Sequence, residues 1–327
     1  GSTRTGCSPP SLCCDLSDRR SEGRRWLLVS ALVAMSRPSQ LLLIAVVYLA
    51  GASAARASIG ADLPAVATGL VLLLLVAASV HYANEFADAE TDAITRRTAF
   101  SGGSGALSRT GLGPALALAA AVVSAVAGLG LGLIAVRLGV LPVIGLWLLV
   151  IGAIGGWAYS VPRSLALARH GLGEIGNAVL GGLLLPVFGY AVAAGSVPIW
   201  IVAAFVPFAL VDFANVLATA WPDRDADLLV GKRTLVTRRS TGRLRTAHAS
   251  TLLLAGGLTL AFIGRAVPVS VGVASLLVAP LAVVAALRFT RVESPLWSVA
   301  TMVGLIVVML IAWSLLPPGT WMAEAGS

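Results

Sequence analysis

The stretch VLLLLVAASVHYANEFADAETD, Val71 to Asp92, sets an uncharged apolar run directly against four carboxylates. The apolar part belongs to a segment of about 62–83, long enough to cross roughly 30 Å of hydrocarbon at about 1.5 Å per residue. Ionised groups at that boundary are expensive, so carboxylates placed there imply a function. A second cluster, PDRDAD from Pro222 to Asp227, adjoins another apolar run. Asn84, Asp88 and Asp92 are spaced by four residues, as are Asp223 and Asp227. On a helix each set shares one face, where like charges repel. A divalent cation is the simplest relief, because Mg²⁺ takes oxygen ligands and shares them with phosphates.

The rest of the chain agrees with a membrane protein. Of its 327 residues 57% are hydrophobic and 12% charged, against about 25% charged in soluble domains. Mean hydropathy is +0.91. Transmembrane β-strands would alternate apolar and polar residues in pieces of about ten. These segments are instead continuous and rich in Ala, Leu, Val and Gly, which makes the fold class all-α. The net charge of +8 reads as a topological bias rather than an affinity for nucleic acid. Cys7, Cys13 and Cys14 all fall near the N-terminus, an odd set that builds neither a disulfide framework nor a zinc site. The expected organisation is a disordered tail over 1–26, with no cleavable signal, a polytopic domain over 27–317, and a short tail over 318–327.

Nine apolar segments are expected, near 28–54, 62–83, 112–135, 140–160, 174–194, 198–220, 247–264, 268–287 and 295–316. Ser36-Arg37-Pro38 interrupts the first, since proline lacks an N–H and restricts the residue before it. With the N-terminus cytoplasmic, 20 of the 23 Lys and Arg residues fall on the cytoplasmic side, leaving Arg56, Arg137 and Arg265 outside. That asymmetry predicts an N-in, C-out protein of the cell membrane. It also puts both acidic clusters on the cytoplasmic face, after the second and sixth spans.

The neighbours of the clusters suit a diphosphate. Arg96 and Arg97, then Ser101-Gly102-Gly103-Ser104-Gly105, follow the first, and Gly231-Lys232-Arg233-Thr234 follows the second. Arginine forks and lysine ammonium groups hold phosphate oxygens, and glycine-rich backbone offers N–H groups to anions. The plain alternative is that these charges only solvate loops at the membrane edge. Two ladders on one face argue against it. A Walker-type phosphate loop is absent, because Gly231-Lys232 lacks the preceding glycine pattern.

These residues resemble the UbiA superfamily of intramembrane aromatic prenyltransferases, with an N-D-x-x-D-x-x-x-D-like first motif and a D-x-x-x-D second motif. Asn84, Asp88 and Asp92 match the first, with Glu85 where Asp is commoner, and Asp223 and Asp227 match the second. Ser36-Arg37-Pro38, Tyr159-Ser160-Val161-Pro162 with Gly171-Leu172-Gly173-Glu174, and the Gly231-Lys232-Arg233-Thr234-Leu235 tail match further segments. The likeness spans about 35–315. It implies nine transmembrane helices around a central cavity under a cytoplasmic cap of loops and short helices. It implies Mg²⁺-dependent transfer of a prenyl chain from an isoprenyl diphosphate to a small acceptor. By the same resemblance, Asn84, Asp88, Asp92, Asp223 and Asp227 would hold the metal, and Arg97, Lys232 and Arg163 the diphosphate. Tyr159 would lie near the reacting centre. The Ser101–Gly105 loop, and the missing proline after Arg97-Thr98, favour the naphthoate branch of menaquinone synthesis and so an aromatic quinone precursor. A glycerol-phosphate lipid, chlorophyllide or haem acceptor stays open.

Three further residues are candidates for a substrate pocket. Asp212 and Asn215 lie within the sixth span, where an intramembrane carboxylate defaults to a functional reading. His81 lies one turn before Asn84, with helix packing as the competing role. Glu174 at a helix start reads equally as a capping group, and His170 and His248 are expected to be solvated in loops. A secondary transporter or metal-ion carrier is the rival function. Transporter sites lie near the midplane at broken helices, whereas these clusters lie at one edge.

Overall fold

A computed structural model describes residues 10–94, 103–160, 171–229 and 231–321. Among them there is no strand, only an isolated bridge between Ile263 and Val267. Helix α1 (Pro10–Met35) reaches well into the stretch expected as a tail. It is followed by α2 (Pro38–Ile59), α3 (Leu63–Ala87), the short α4 (Ala89–Ile94) and α5 (Ala106–Thr110), then α6 (Pro114–Arg137) and α7 (Val143–Ser160). A composite segment joins α8 (Gly173–Asn177), a π-helical turn over Ala178–Leu184, and α9 (Leu185–Ala194). Beyond it lie α10 (Ile199–Ala220), α11 (Arg224–Leu229), α12 (Leu235–Arg238), α13 (Thr241–Phe262), α14 (Val269–Leu276), α15 (Ala279–Arg288) and α16 (Leu296–Leu315).

Seven of these units are long and apolar enough to cross a membrane: α2, α3, α6, the α8–α9 composite, α10, the α14–α15 pair and α16. Helix α7 is apolar but shorter. The first half of α13, TGRLRTAHAS, is too polar to qualify by composition. Large apolar side chains face outward, among them Val123 and Val126 on α6, Ile154 on α7 and Leu253 on α13. Water would not tolerate such a belt, but lipid does.

The helix boundaries follow from local chemistry. Asp62 caps α3 by accepting from the Ala65 N–H at 3.2 Å, with a proline in the first turn. At the corner between α1 and α2, Arg37 takes φ 54°, a left-handed conformation that costs a non-glycine residue about 1–2 kcal/mol. Two contacts hold that corner on α3: His81 Nδ1–H donates to the Ser36 carbonyl at 2.7 Å, and Arg37 reaches Glu85. Pro186 lacks the N–H that would bond to the Gly182 carbonyl, and the chain before it winds as a π turn. Backbones approach closely where glycine sits. Gly189 lies against the Tyr48 carbonyl and Gly51 against that of Pro186, so α2 and α9 pack with no side chain between them there. Away from the carboxylates, Arg56 donates to the Ser314 and Leu316 carbonyls, both at 2.6 Å, and ties α2 to α16.

Candidate active site

Helix α3 ends just as the first cluster begins. Asp88 leaves helical geometry at φ −101° and ψ 5°, yet its N–H still reaches the Asn84 carbonyl at 2.9 Å. The Asp92 N–H in turn reaches the Asp88 carbonyl at 2.8 Å. The break therefore keeps the four-residue register. Glu85 turns away from this row and is buried. One of its oxygens takes Arg37 at 2.7 Å and the Ser104 N–H at 2.8 Å, and the other takes the Ser104 hydroxyl at 2.7 Å. The motif's Glu-for-Asp exchange thus anchors the Gly103–Gly105 loop. Gly103 sits directly on the Asp92 carboxylate, where a Cβ would collide with Oδ2.

The second cluster owes its shape to Gly231. At φ 73° it closes α11, with its N–H on the Leu228 carbonyl at 3.1 Å and the Lys232 N–H on the Asp227 carbonyl at 2.9 Å. Those two bonds are the Schellman pattern that glycine terminates so readily. Lys232 is turned back over Asp227, the carboxylate that ends the motif. Two residues on, Thr234 caps α12 by accepting from the Thr237 N–H at 3.2 Å. The Leu235 N–H donates to buried Glu174 at 2.6 Å. Glu174 therefore braces the segment carrying Lys232 instead of capping its own helix.

The two clusters meet at one ammonium group. Lys232 Nζ lies 3.0 Å from Asp88 Oδ1 and 3.5 Å from Asp227 Oδ1. Burial alone would lower the pKa of Lys232, but Asp88 and Asp227 outweigh it and hold the ammonium above its ordinary value. Asp92 moves up as well, from 3.8 to about 6, first through burial and then through the charges of Asp88 and Glu85. Arg37 and Lys232 oppose that rise. Carboxylates are thus held together short of positive charge.

Among the described residues no three His, Cys, Asp or Glu side chains close into a metal cage. The all-oxygen donors Asn84, Asp88, Asp92, Asp223 and Asp227 nonetheless suit Mg²⁺, which keeps several waters and typically binds through one or two carboxylates plus substrate phosphates. The raised Asp92 supports the fit, because a divalent cation would relieve the charge that raises it.

The other expected residues divide. Tyr159 is half-buried, lies within electrostatic reach of Glu174, Asp88 and Lys232, and hydrogen-bonds Asn177. Asp212 and Asn215 are buried and hydrogen-bonded to each other beside Gly181 of the π turn. His81 is also buried but is used by the Ser36 carbonyl. Arg97, Arg163 and His170 fall outside the described residues. His248 is not solvated: it is fully buried in α13, 3.1 Å from Ser298 Oγ and stacked on Phe289 at 4.4 Å. The misreading came from placing it in a loop, whereas α13 begins at Thr241.

The profile of the UbiA prenyltransferase family matches residues 42–307. The chain belongs to the UbiA family. No curated protein matches it in sequence. Solved UbiA structures share its fold at low identity. A homologue from Archaeoglobus fulgidus bound to DMAPP and Mg²⁺ superposes with a TM-score of 0.67 at 17% identity, covering 86% of this chain and 98% of its own. The apo homologue from Aeropyrum pernix K1 gives 0.60 at 15%, covering 83% and 96%. Digeranylgeranylglyceryl phosphate synthase gives 0.63 at 15%, covering 88% and 98%.

Sequence reasoning missed the Arg37–Glu85–Ser104 anchor and the Glu174–Leu235 brace. The first had a signal, since Arg37 adjoins a helix-breaking proline and Glu85 departs from the motif. The second had none, because a backbone N–H carries no residue identity.

Proposed function

We propose that this protein is a Mg²⁺-dependent intramembrane prenyltransferase, moving a prenyl chain from an isoprenyl diphosphate to an aromatic quinone precursor. In this reading nine spans surround a central cavity under a cap, with the N-terminus and site cytoplasmic and the C-terminus outside. One observation carries the proposal: Lys232 lies between Asp88 and Asp227, so both acidic clusters serve one anion-binding centre. Homologues of the same fold that bind GPP or DMAPP with Mg²⁺ support it.

Asn84, Asp88, Asp92, Asp223 and Asp227 would hold the metal. Mg²⁺ held there would supply positive charge to offset that of the leaving diphosphate. Lys232, with Arg97 and Arg163, would hold diphosphate oxygens in fixed positions and stabilise the charge that develops on them. Glu174 and Gly231 set the position of Lys232, and Glu85 the loop behind Asp92. Tyr159 would stand over the carbon losing the diphosphate. The surrounding apolar helices would keep water from the allylic cation until the acceptor attacks. Asp212 and Asn215, deeper in α10, would line the pocket for the substrates.

The test uses purified protein in lipid nanodiscs with radiolabelled prenyl diphosphate, Mg²⁺ and a panel of acceptors. The panel holds 1,4-dihydroxy-2-naphthoate, 4-hydroxybenzoate and a prenylated glycerol phosphate. Naphthoate prenylation, abolished by Asp88→Ala and by Asp223→Ala, is expected. Prenylation of the glycerol phosphate alone overturns the acceptor. Metal-dependent uptake into liposomes without any transfer overturns the reaction.

A further inference from the structure

An open groove of about 340 Å³ lies on the outer flank of the bundle, at the carboxylate end, between α10, α12 and α13. Phe213 and Leu217 of α10, Leu235 of α12 and Leu244 of α13 line it, and Arg239 and Arg243 stand at its rim. Both arginines are exposed, and neither makes a side-chain hydrogen bond or ion pair among the described residues. The 22-residue helix α13 starts between them, after a Ser240 whose side chain makes no capping hydrogen bond. Its first-turn N–H groups therefore add partial positive charge at the same edge.

The depths of these groups are ordered. Arg239 precedes α13 and Arg243 lies in its polar first half, both at the end of the bundle. Phe213 lies seven residues before Ala220, the last residue of α10, or about 10 Å deeper at the rise of a helix. The groove thus carries two cations at its mouth and hydrocarbon below. Phe213 and Leu217 are four residues apart and face α13, on a different side of α10 from Asp212.

We propose that this groove is a binding site for an anionic phospholipid, with the phosphate on Arg239, Arg243 and the start of α13 and an acyl chain along Phe213 and Leu217. Charge complementarity selects the class, since a basic pocket between membrane helices suits an acidic headgroup. Water would be unstable against its four apolar walls, while an acyl chain fits them. Leu235 in the floor is the residue whose N–H is tied to Glu174, three positions after Lys232. A lipid seated there braces the segment that carries Lys232.

Native mass spectrometry tests this with detergent-purified protein titrated with phosphatidylglycerol or with phosphatidylcholine of the same chains. One phosphatidylglycerol per protein should bind in preference to phosphatidylcholine. The Arg239→Ala/Arg243→Ala double variant should weaken that binding by about 30-fold, from about 1 kcal/mol for each lost cation. Ala247→Phe, which projects into the groove from α13, should also weaken it. Arg291→Ala, an exposed arginine beyond α15, should not. Equal binding of the two lipids, equal losses for the Arg291 control, or displacement of the bound lipid by stoichiometric geranylgeranyl diphosphate would each overturn the proposal. The readout is binding, so it stands apart from whether the protein transfers prenyl groups.

Discussion

The sharpest prediction concerns Gly231, a residue that need touch no substrate. Its φ of 73° closes the turn that folds Lys232 over Asp227, and a Cβ built there meets nothing within 4 Å. Gly231→Ala is therefore a purely conformational perturbation. Holding alanine left-handed costs about 1–2 kcal/mol relative to glycine, which shifts the closed-to-open ratio of the turn by about 5- to 30-fold. Asparagine tolerates that conformation far better. If the turn positions Lys232, Gly231→Ala should lower kcat/KM for the prenyl diphosphate by about fivefold or more, mainly through KM. Gly231→Asn should stay within about twofold of the parent, and Lys232→Ala should lose more than either. The assay is steady-state diphosphate release in nanodiscs, with thermal unfolding as the control; at an exposed turn the global transition should move by only a few degrees. Equal losses for alanine and asparagine would show that the added bulk matters, not φ. Full activity in Gly231→Ala would refute the claim that this turn sets the lysine.

Other outcomes follow from the same contacts. Arg37→Ala leaves the buried Glu85 charge with Ser104 as its remaining partner among the described residues, and should cost about 2–3 kcal/mol of stability, less than a fully buried pair because Arg37 is partly exposed. The Arg37→Ala/Glu85→Gln pair should recover part of that in a denaturation series, and a simple sum of the two single losses would argue against the ion pair. Gly103→Ala forces a methyl into the Asp92 carboxylate and should lose Mg²⁺-dependent activity by more than about tenfold. Gly111→Ala, also left-handed at φ 68° but with open space around it, isolates the conformational cost. In the metal-free protein Asp92 has a pKa raised to about 6, so its contribution to stability is complete below its ordinary 3.8 and is lost as pH rises through 6. Added Mg²⁺ should accordingly raise the Tm more at neutral pH than at about pH 5, and Asp92→Asn should flatten that difference.

Much of this molecule is legible along the chain. Long apolar runs dictate helices because lipid leaves backbone groups no other partners. Asp62, Pro38, Pro114 and the glycines at the turns mark helix ends by local chemistry that survives any tertiary context. The four-residue spacing of Asn84, Asp88 and Asp92 persists even where α3 breaks at Asp88, because the hydrogen bonds there still skip four residues. Polarity patterns failed where a helix crosses the membrane edge. The first half of α13 reads as loop, and His248 was expected in water; the structure buries it against Phe289 and Ser298.

Spacing along the chain established two acidic rows at helix ends and the basic residues after them, since both depend on separations of only a few residues. Only packing decided which groups meet. Lys232 joins Asp88, 144 positions away, to Asp227. Glu85 faces Arg37 and Ser104 instead of the carboxylates of its own cluster, and Glu174 holds a backbone N–H of residue 235. Such pairings link distant parts of the chain, so they arise only when neighbouring helices are brought side by side and each buried charge finds a partner there.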